Sequence, residues 1–223
     1  MKKTVNIAID GPAGAGKSTI AKSVSSQLGY IYMDTGALYR SIALYTIRKD
    51  AYKSDEIISC LDEISLELKF IDELQQVFLN GENVSDKIRT PEVSMGASRV
   101  SALPEVRKFL FDLQRKNAEE NNLIMDGRDI GTVVLPNADL KIFLTASAEE
   151  RAKRRYLELK EKPDCPPYES ILQDIIKRDY DDEHRETAPL KKADDAVLVD
   201  STDMTADEVI DYIVKLIREK TAE

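Results

Sequence analysis

The segment Gly11–Ser18 constrains the fold of this chain more than any other feature of its sequence. It satisfies the pattern G-x-x-x-x-G-K-[ST], in which glycines let the backbone wrap an anion with its N–H groups pointing inward. The apolar stretch Val5–Ile9 before it predicts a buried strand, and Ser18–Leu28 after it predicts a helix that ends near Gly29. A strand, such a loop and a helix in this order predict a phosphate-binding loop, or P-loop, in an α/β protein.

The alternation of strand and helix continues along the chain. Four further apolar runs are predicted strands: Tyr30–Met33, Leu123–Asp126, Leu140–Leu144 and Ala196–Val199. Helical patterns follow most of them, at Gly36–Arg48, Ser147–Lys160 and Thr205–Arg218, and the last two begin with the capping-box spacing of a glutamate three residues on. We therefore expect an α/β fold, a P-loop NTPase core with a five-stranded parallel sheet flanked by helices.

The middle of the chain departs from this pattern. A helix is predicted at Asp55–Ile64, and two short strands joined by a turn are predicted at Ser65–Phe70 and Gln75–Leu79. Asn80-Gly81 predicts a second turn. Two further helices are predicted to begin at Pro91 and Pro104, and the second runs to about Asn121. These features predict a small antiparallel insert with helices. Later, the prolines of Glu161–Tyr168 predict a loop between helices.

Composition excludes several classes of function. The 223 residues carry a net charge of −9, which is unsuited to gripping a nucleic-acid backbone. No apolar run approaches the length of a membrane span, and Cys60 and Cys165 have no metal-site spacing. We expect a cytoplasmic monomer with free thiols, bound to neither nucleic acid nor membrane. The single histidine, His184, lies among acidic residues and is given no catalytic role.

The P-loop narrows the class of protein without choosing the reaction. Regulatory GTPases share it, but they also carry a D-x-x-G switch and an N-K-x-D guanine reader. No glycine in this chain has an aspartate three places before it, and no Asn-Lys pair occurs. A GTP switch is therefore not expected.

Arginines and carboxylates follow the ends of predicted strands. Asp34–Arg40 follows the second strand, Asp126–Thr132 follows the third, and Arg178–Arg185 closes a late helix. Open α/β sheets bind ligands at the carboxyl ends of their strands, and the planar fork of arginine grips phosphate through two hydrogen bonds. A second anion site beside the P-loop predicts a kinase for a small phosphorylated acceptor.

At these residues the chain resembles the bacterial cytidylate kinases, P-loop nucleoside monophosphate kinases that transfer phosphoryl from ATP to CMP or dCMP. The matching segments span nearly the whole chain: Ile9–Pro12, Asp34–Arg40, Ser94–Val106, Asp126–Thr132, Glu149–Arg155, Arg178–Arg185 and Ala188–Leu190. The resemblance implies one domain with a core (about 1–34, 122–148 and 187–223), a monophosphate-binding insert (about 35–121) and a helical lid (about 149–186). Some family members have serine where this chain has Thr35.

The resemblance also implies roles for individual residues. ATP would lie on Gly11, Pro12, Ala13, Gly14, Ala15, Gly16, Lys17, Ser18 and Thr19, with Mg²⁺ held by Ser18 but mainly by phosphates and water. The acceptor would be bound by Thr35, Gly36, Tyr39, Arg40, Ser98, Arg107, Arg128, Asp129, Arg178, Asp182 and Arg185. Within that set, Ser98, Arg107 and Asp129 would read cytosine, while Arg178 and Asp182 would touch the sugar. Lys17, Arg128, Arg185 and the lid arginines Arg151 and Arg154 would act in catalysis.

Several of these assignments have a structural alternative. Arg40 could pair with an acidic residue on its own helix face, and Arg107 could be an ordinary exposed helix residue. Asp126 could be a Mg²⁺-water partner or could cap the next segment. Asp129 could pair with Arg128 or cap a turn. Arg154 and Arg155 cannot point the same way on a helix, and we favour Arg154 for the site.

Two other readings of the function remain open. A kinase of the same fold could act on UMP, AMP or a small alcohol, and a non-catalytic module could merely bind nucleotide. The sequence does not choose between CMP and dCMP.

Overall fold

A parallel sheet forms the centre of the protein. In this computed structural model, which describes residues 4–71, 74–161 and 165–221, the sheet has five strands in the order β2-β6-β1-β7-β8. Their bounds are β1 (Asn6–Asp10), β2 (Ile31–Asp34), β6 (Leu123–Gly127), β7 (Leu140–Thr145) and β8 (Val197–Asp200). All four neighbouring pairs are parallel. The predicted strands are confirmed to within one or two residues.

Helices cover both faces of this sheet. Helices α1 (Lys17–Leu28) and α8 (Ala206–Thr221) pack on the face that carries Ile7 and Ile9. The opposite face, which carries Ala8, is covered by α2 (Thr35–Arg48), α4 (Pro91–Ser101) and α5 (Pro104–Glu120). Successive strand side chains point to opposite faces. The central strands are apolar on both faces, which explains why they appear in the sequence as continuous apolar segments.

The described residues also form a small antiparallel sheet. Its strands are β3 (Leu66–Ile71), β4 (Leu74–Leu79) and the two-residue β5 (Glu82–Asn83). Asn80 and Gly81 both have positive φ angles, 49° and 83°, as a type I′ hairpin turn requires. The turn is confirmed, but β5 was not predicted, because two residues are too few for a pattern. Of the turn predicted between β3 and β4, residues 72–73 lie outside the described residues.

The predicted helix at Asp55–Ile64 is shorter than expected. Helix α3 covers only Ser54–Ser59, and a 3₁₀ turn follows at Cys60–Glu63. The tighter turn places Cys60 and Leu61 in the apolar interior. A second irregular element, a π-helical turn at Ile130–Val134, follows β6 and was not predicted.

Helices α6 (Ala148–Leu159) and α7 (Tyr168–His184) pack against each other through Ala152, Ile171 and Ile175. The capping box before α8 is complete, since the side chains of Thr205 and Glu208 each accept a hydrogen bond from the backbone N–H of the other residue. The box before α6 is half formed: Ser147 accepts from the Glu150 N–H, but the Glu150 carboxylate turns to Arg154. Residues 162–164 of the predicted loop lie outside the described residues.

None of the helices in the described parts of the chain has the length and apolar character that a bilayer span needs.

Strand order determines what meets at the carboxyl edge of the sheet. Strand β6 lies between β1 and β2, with Asp126 level with Ile9 on one side and with Asp34 on the other. The segments that follow these three strands are the P-loop, the start of α2 and the residues Arg128 and Asp129. Three segments distant in sequence therefore share one edge.

Candidate active site

A cleft of about 540 Å³ opens at this edge. Its walls come from the P-loop, the start of α2, α4, the end of β6, α6 and α7. The predicted site residues that line it are Ala13, Gly14, Gly16, Lys17, Ser18, Thr19, Thr35, Gly36, Tyr39, Arg40, Ser98, Arg107, Arg128, Asp129, Arg178, Asp182 and Arg185. All of the predicted acceptor residues and most of the predicted ATP residues thus face one common space, whereas Gly11, Pro12 and Ala15 do not line it.

The P-loop has the backbone that an anion cradle needs. Gly11 approaches strand β7 so closely that a Cβ atom there would lie 1.9 Å from the Leu144 carbonyl oxygen. Gly16 has a φ of 82° and stands just before α1, whose first turn carries no acidic residue and no side-chain cap. The N–H groups of that turn and the positive end of the helix dipole are therefore available to an anion.

Lys17 is buried under this loop. Its Nζ donates to the Pro12 carbonyl oxygen at 2.7 Å. Burial lowers the pKa of Lys17 well below its usual value, and the neighbouring Arg128 lowers it further. Asp126, Asp10 and Asp182 oppose this lowering. A phosphate bound at the loop would add negative charge beside Lys17 and favour its protonated form.

Asp126 accepts two side-chain hydrogen bonds at the end of β6. Ser18 Oγ donates to Oδ2 at 2.7 Å and the Tyr32 hydroxyl donates to Oδ1 at 3.2 Å. Burial, reinforced by Asp34, raises the pKa of Asp126 to about 6. Of the two alternatives for this residue, capping does not fit, because both oxygens face side chains beside the P-loop. A hydroxyl and a carboxylate side by side fit a Mg²⁺ ion held through phosphates and water.

Arginines and aspartates alternate across the acceptor end of the cleft. Arg128 Nε donates to Asp182 at 2.9 Å, and Arg185 lies 3.9 Å from Asp182 and 3.6 Å from Asp129. Burial lowers the pKa of Arg185, with Arg107 as a second cause. Arg178 also lines the cleft, and no carboxylate of the described residues lies within 4 Å of its guanidinium. Arg128 and Arg185 therefore share the negative charge of one carboxylate, Asp182.

Arg40 and Thr35 are partly committed elsewhere. Arg40 pairs with Asp34 at 2.7 Å, so the alternative of a local acidic partner is partly correct, although that partner precedes the helix. Its Nε is buried with no hydrogen-bond partner among the described residues. The Thr35 hydroxyl donates to the Asp126 carbonyl oxygen at 2.8 Å. In this conformation the hydroxyl proton is directed at that carbonyl oxygen, and contact between Thr35 and the acceptor stays a prediction.

The deep end of the cleft holds Arg107 and Asp129. They form a direct ion pair, and their side chains are only 10% and 6% exposed. The alternative of an exposed Arg107 is therefore wrong, and the partner of Asp129 is Arg107 rather than Arg128. The Tyr39 ring lies 5.6 Å from the Arg107 guanidinium, and burial raises the pKa of Tyr39 to about 12.

Asp10 fixes the segment that carries Asp129. Its carboxylate accepts from the backbone N–H groups of Ile130 and Gly131, at 2.8 and 2.7 Å. These are the first two residues of the π-helical turn, so Asp10 caps that turn from another strand. The contact links the strand before the P-loop to the proposed base reader.

The lid arginines differ from expectation. Arg151 is buried and donates to the Ala13 and Ala146 carbonyl oxygens and to both oxygens of Asp179, so it braces the P-loop against α7. Arg154 donates to the Ser201 carbonyl oxygen at 2.6 Å and does not line the cleft. Arg155 does line it. The preference for Arg154 is wrong for this conformation, because α6 packs with that side of the helix toward the end of β8.

Sequence reasoning missed four residues of the site. Tyr32, Asp34, Gln75 and Asp10 hold functional groups in place. Asp10 and Asp34 lie in the matching segments Ile9–Pro12 and Asp34–Arg40 but were given no role, and Tyr32 and Gln75 lie outside all of these segments. A signal was present for Asp10 and Asp34, since each is a carboxylate at the end of an apolar strand. Tyr32 and Gln75 carry no such signal.

Comparison with known proteins identifies relatives of the chain. Residues 7–219 match the family model described as Cytidylate kinase. A protein named cytidylate kinase from Caldicellulosiruptor bescii is 53% identical over 216 residues, which is 96% of each chain. One of the same name from Lactobacillus johnsonii is 49% identical over 218 residues, covering 97% of this chain and 95% of that protein.

Among solved structures, an uncharacterized protein from Eubacterium ventriosum is similar, with a TM-score of 0.53 at 15% identity. The match covers 96% of this chain and 98% of that one. At this identity the likeness shows a common fold.

Proposed function

The chain belongs to the cytidylate kinase family, and we propose that its cleft transfers the γ-phosphoryl group of ATP to CMP or dCMP, giving ADP and CDP or dCDP. One observation carries the proposal: an anion cradle and a separate set of buried arginines face each other across a single cleft. A P-loop alone binds one nucleotide. The second basic set supplies a place for another phosphate.

The donor end of the cleft is the P-loop. Members of a kinase family use ATP, and the uncapped N–H groups at the start of α1 would bind its phosphates. Lys17 would exchange the Pro12 carbonyl oxygen for phosphate oxygens. Its charge then lies where negative charge grows during transfer.

Ser18 and Asp126 are the residues that fit Mg²⁺. The Ser18 hydroxyl donates its proton to Asp126, which leaves the lone pairs of its oxygen for a cation. The ion would be held by Ser18 and phosphate oxygens, with Asp126 bonded to its water. It supplies neutralisation of charge on the transferred group.

The acceptor phosphate would lie among Arg40, Arg128 and Arg185. Each guanidinium now interacts with a carboxylate, and a phosphate would replace those carboxylates as partner. Asp182, released from Arg128, becomes free to accept a sugar hydroxyl beside Arg178. The ion pairs hold the arginines near their working positions without a ligand.

Cytosine would meet the Arg107–Asp129 pair. Cytosine carries an amino donor beside an unprotonated ring nitrogen, whereas uracil carries a carbonyl beside an N–H. A carboxylate beside a guanidinium presents the acceptor and the donor that complement cytosine. Ser98 and Tyr39 line the same end.

The reaction needs alignment more than a strong base. The acceptor is an anionic phosphate oxygen, so no residue has to remove a proton from it. The cleft would bring that oxygen into line with the γ-phosphorus of ATP. Arg155 on α6 would close over the phosphates and help exclude water, which would otherwise accept the phosphoryl group.

A panel of monophosphates tests this function. CMP, dCMP, UMP and AMP are each supplied with Mg·ATP, and ADP formation is followed. We expect CMP and dCMP to give kcat/KM values at least about a hundredfold above those of UMP and AMP. Lys17→Ala should lose kcat by orders of magnitude while remaining folded. Equal use of all four acceptors, or no ADP formation, would contradict the proposal.

A further inference from the structure

The side chain of Gln75, on β4 of the small antiparallel sheet, hydrogen-bonds to the edge of the main sheet. Its Oε1 accepts from the Asp34 backbone N–H at 2.8 Å, and its Nε2 donates to the Asp34 carbonyl oxygen at 3.2 Å. The amide thus pairs with both backbone groups of one residue, as a neighbouring strand would. Asp34 ends β2, which is the edge strand of the five-stranded sheet.

The side chain of Asp34, in turn, holds Arg40. Its Oδ1 accepts from the Ala37 N–H at 3.0 Å and caps α2. Its Oδ2 accepts from Arg40 at 2.7 Å. The backbone of Asp34 is held by the insert, while its side chain holds both the start of α2 and the guanidinium.

We propose that Gln75 is a positioning residue for the acceptor-phosphate site, acting through Asp34 on Arg40. The inference rests on the proposed function, in which Arg40 binds the phosphate of CMP. It assigns the insert a direct part in acceptor binding, since the register of β4 sets where Asp34 and hence Arg40 lie.

The chain provides a matched control in the next residue. Gln76 follows Gln75 on β4, so its side chain points to the other face of the strand. Its Oε1 accepts from the Asn83 side chain at 2.8 Å, a contact within the insert. The two glutamines have the same chemistry and the same strand, but only Gln75 reaches Asp34.

The test compares Gln75→Met with Gln76→Met. Methionine keeps the length and most of the volume of glutamine and removes its hydrogen bonds. We expect Gln75→Met to raise the KM for CMP by roughly tenfold, as loss of two neutral hydrogen bonds allows, with the KM for ATP within about twofold. Gln76→Met should change neither. Thermal unfolding of both variants reports any general loss of stability, and Gln75→Ala, with the same expected result, replaces a methionine variant that does not fold.

Arg40→Ala separates this inference from the proposed function. If Arg40→Ala alone leaves the KM for CMP unchanged, the acceptor site is wrongly assigned and the role of Gln75 falls with it. If Arg40→Ala raises that KM but Gln75→Met does not, only the Gln75 inference is wrong. In the Arg40→Ala background, Gln75→Met should add less than about twofold, because its effect passes through Arg40. An undiminished effect in that background, or equal effects on ATP and CMP, would overturn the relay.

Discussion

Arg107 and Asp129 pair with each other at the deep end of the cleft, although one comes from α5 and the other follows β6. Arg107 also donates to the Ser101 carbonyl oxygen at 3.1 Å, which fixes the guanidinium from its other side. Because the two side chains are nearly buried, Arg107 depends on Asp129 for charge balance, and Asp129 is balanced by Arg107 and by Arg185 at 3.6 Å. A base that enters here meets a donor and an acceptor already arranged side by side.

Asp129→Ala should abolish discrimination between CMP and UMP. The carboxylate accepts from the amino group of cytosine and repels the corresponding carbonyl of uracil, so its removal hurts CMP and relieves UMP. We expect the ratio of kcat/KM values for CMP and UMP to fall by about a hundredfold or more. The ratio is measured in parent and variant at matched Mg·ATP.

Asp181→Ala is the control for this variant, since Asp181 is an exposed aspartate of α7. It should leave the ratio unchanged. A ratio that survives in Asp129→Ala would mean that the base is read elsewhere, with Ser98 as the next position to test.

Arg155→Ala should reduce turnover, whereas Arg154→Ala should mainly reduce stability. Arg155 is 55% exposed and pairs only with Glu158 among the described residues, so it is free to move onto phosphates. Arg154 ties α6 to the end of β8 through the Ser201 carbonyl oxygen. We expect kcat to fall about a hundredfold in Arg155→Ala, and the free energy of unfolding to fall by about 1–3 kcal/mol in Arg154→Ala.

Steady-state kinetics and denaturant unfolding of both variants check this division. The two arginines are neighbours of one type on one helix, so each serves as the control for the other. The reverse result, with kcat lost in Arg154→Ala alone, would mean that α6 turns its other side to the cleft during the reaction.

Local patterns predicted the frame of the fold and site. The P-loop and the apolar strands could be read because each is encoded within about ten neighbouring residues, and the strand ends located Arg128 and Asp129. Contacts between distant segments could not be read in this way. Asp10 caps Ile130 across 120 positions, and no periodicity reports such a pairing. Likewise, whether Arg154 or Arg155 faces the cleft depends on how α6 packs against the end of β8, and a local sequence pattern does not report this tertiary contact.

Asp126→Asn should raise the Mg²⁺ requirement of the enzyme. The amide can still accept one hydrogen bond, but it loses the charge that favours a cation beside Ser18. We expect the Mg²⁺ concentration for half-maximal rate to rise about tenfold or more, with part of kcat recovered at saturating Mg²⁺. Calorimetric titration of Mg²⁺ into the enzyme with ADP checks binding independently of turnover. Tyr32→Phe, which removes only the bond to the other carboxylate oxygen, should cause a smaller shift in the same direction.

An unchanged Mg²⁺ dependence in Asp126→Asn would mean that the charge of Asp126 does not help to hold the ion. The carboxylate would then serve only to fix the Ser18 hydroxyl.

Asp10 should make the stability of the protein depend on pH between about 4 and 6. Burial raises the pKa of this carboxyl from 3.8 to about 6, against the opposing effect of the hydrogen bonds from Gly131 and Ile130. The folded protein therefore holds this proton more tightly than the unfolded chain does. Between these two pKa values the unfolded state loses the proton first, so the contribution of Asp10 to the free energy of unfolding falls as pH rises.

Asp10→Asn removes this titration and keeps the shape of the side chain. We compare the free energies of unfolding of parent and variant at pH 4, 5, 6 and 7, because other titrating groups cancel in the difference. The parent should lose stability relative to Asp10→Asn as pH rises from about 4 to 6, by up to about 3 kcal/mol for a shift of roughly two pKa units, and the difference should be constant above about pH 7.

At every pH the variant should still have a lower kcat/KM for CMP, since an amide can accept only one of the two N–H groups that Asp10 now satisfies. If the free energy of unfolding of the parent rises with pH relative to that of Asp10→Asn, the two hydrogen bonds outweigh burial and lower the pKa of Asp10. An unaltered kcat/KM would mean that the capped turn holds Asp129 in place without Asp10.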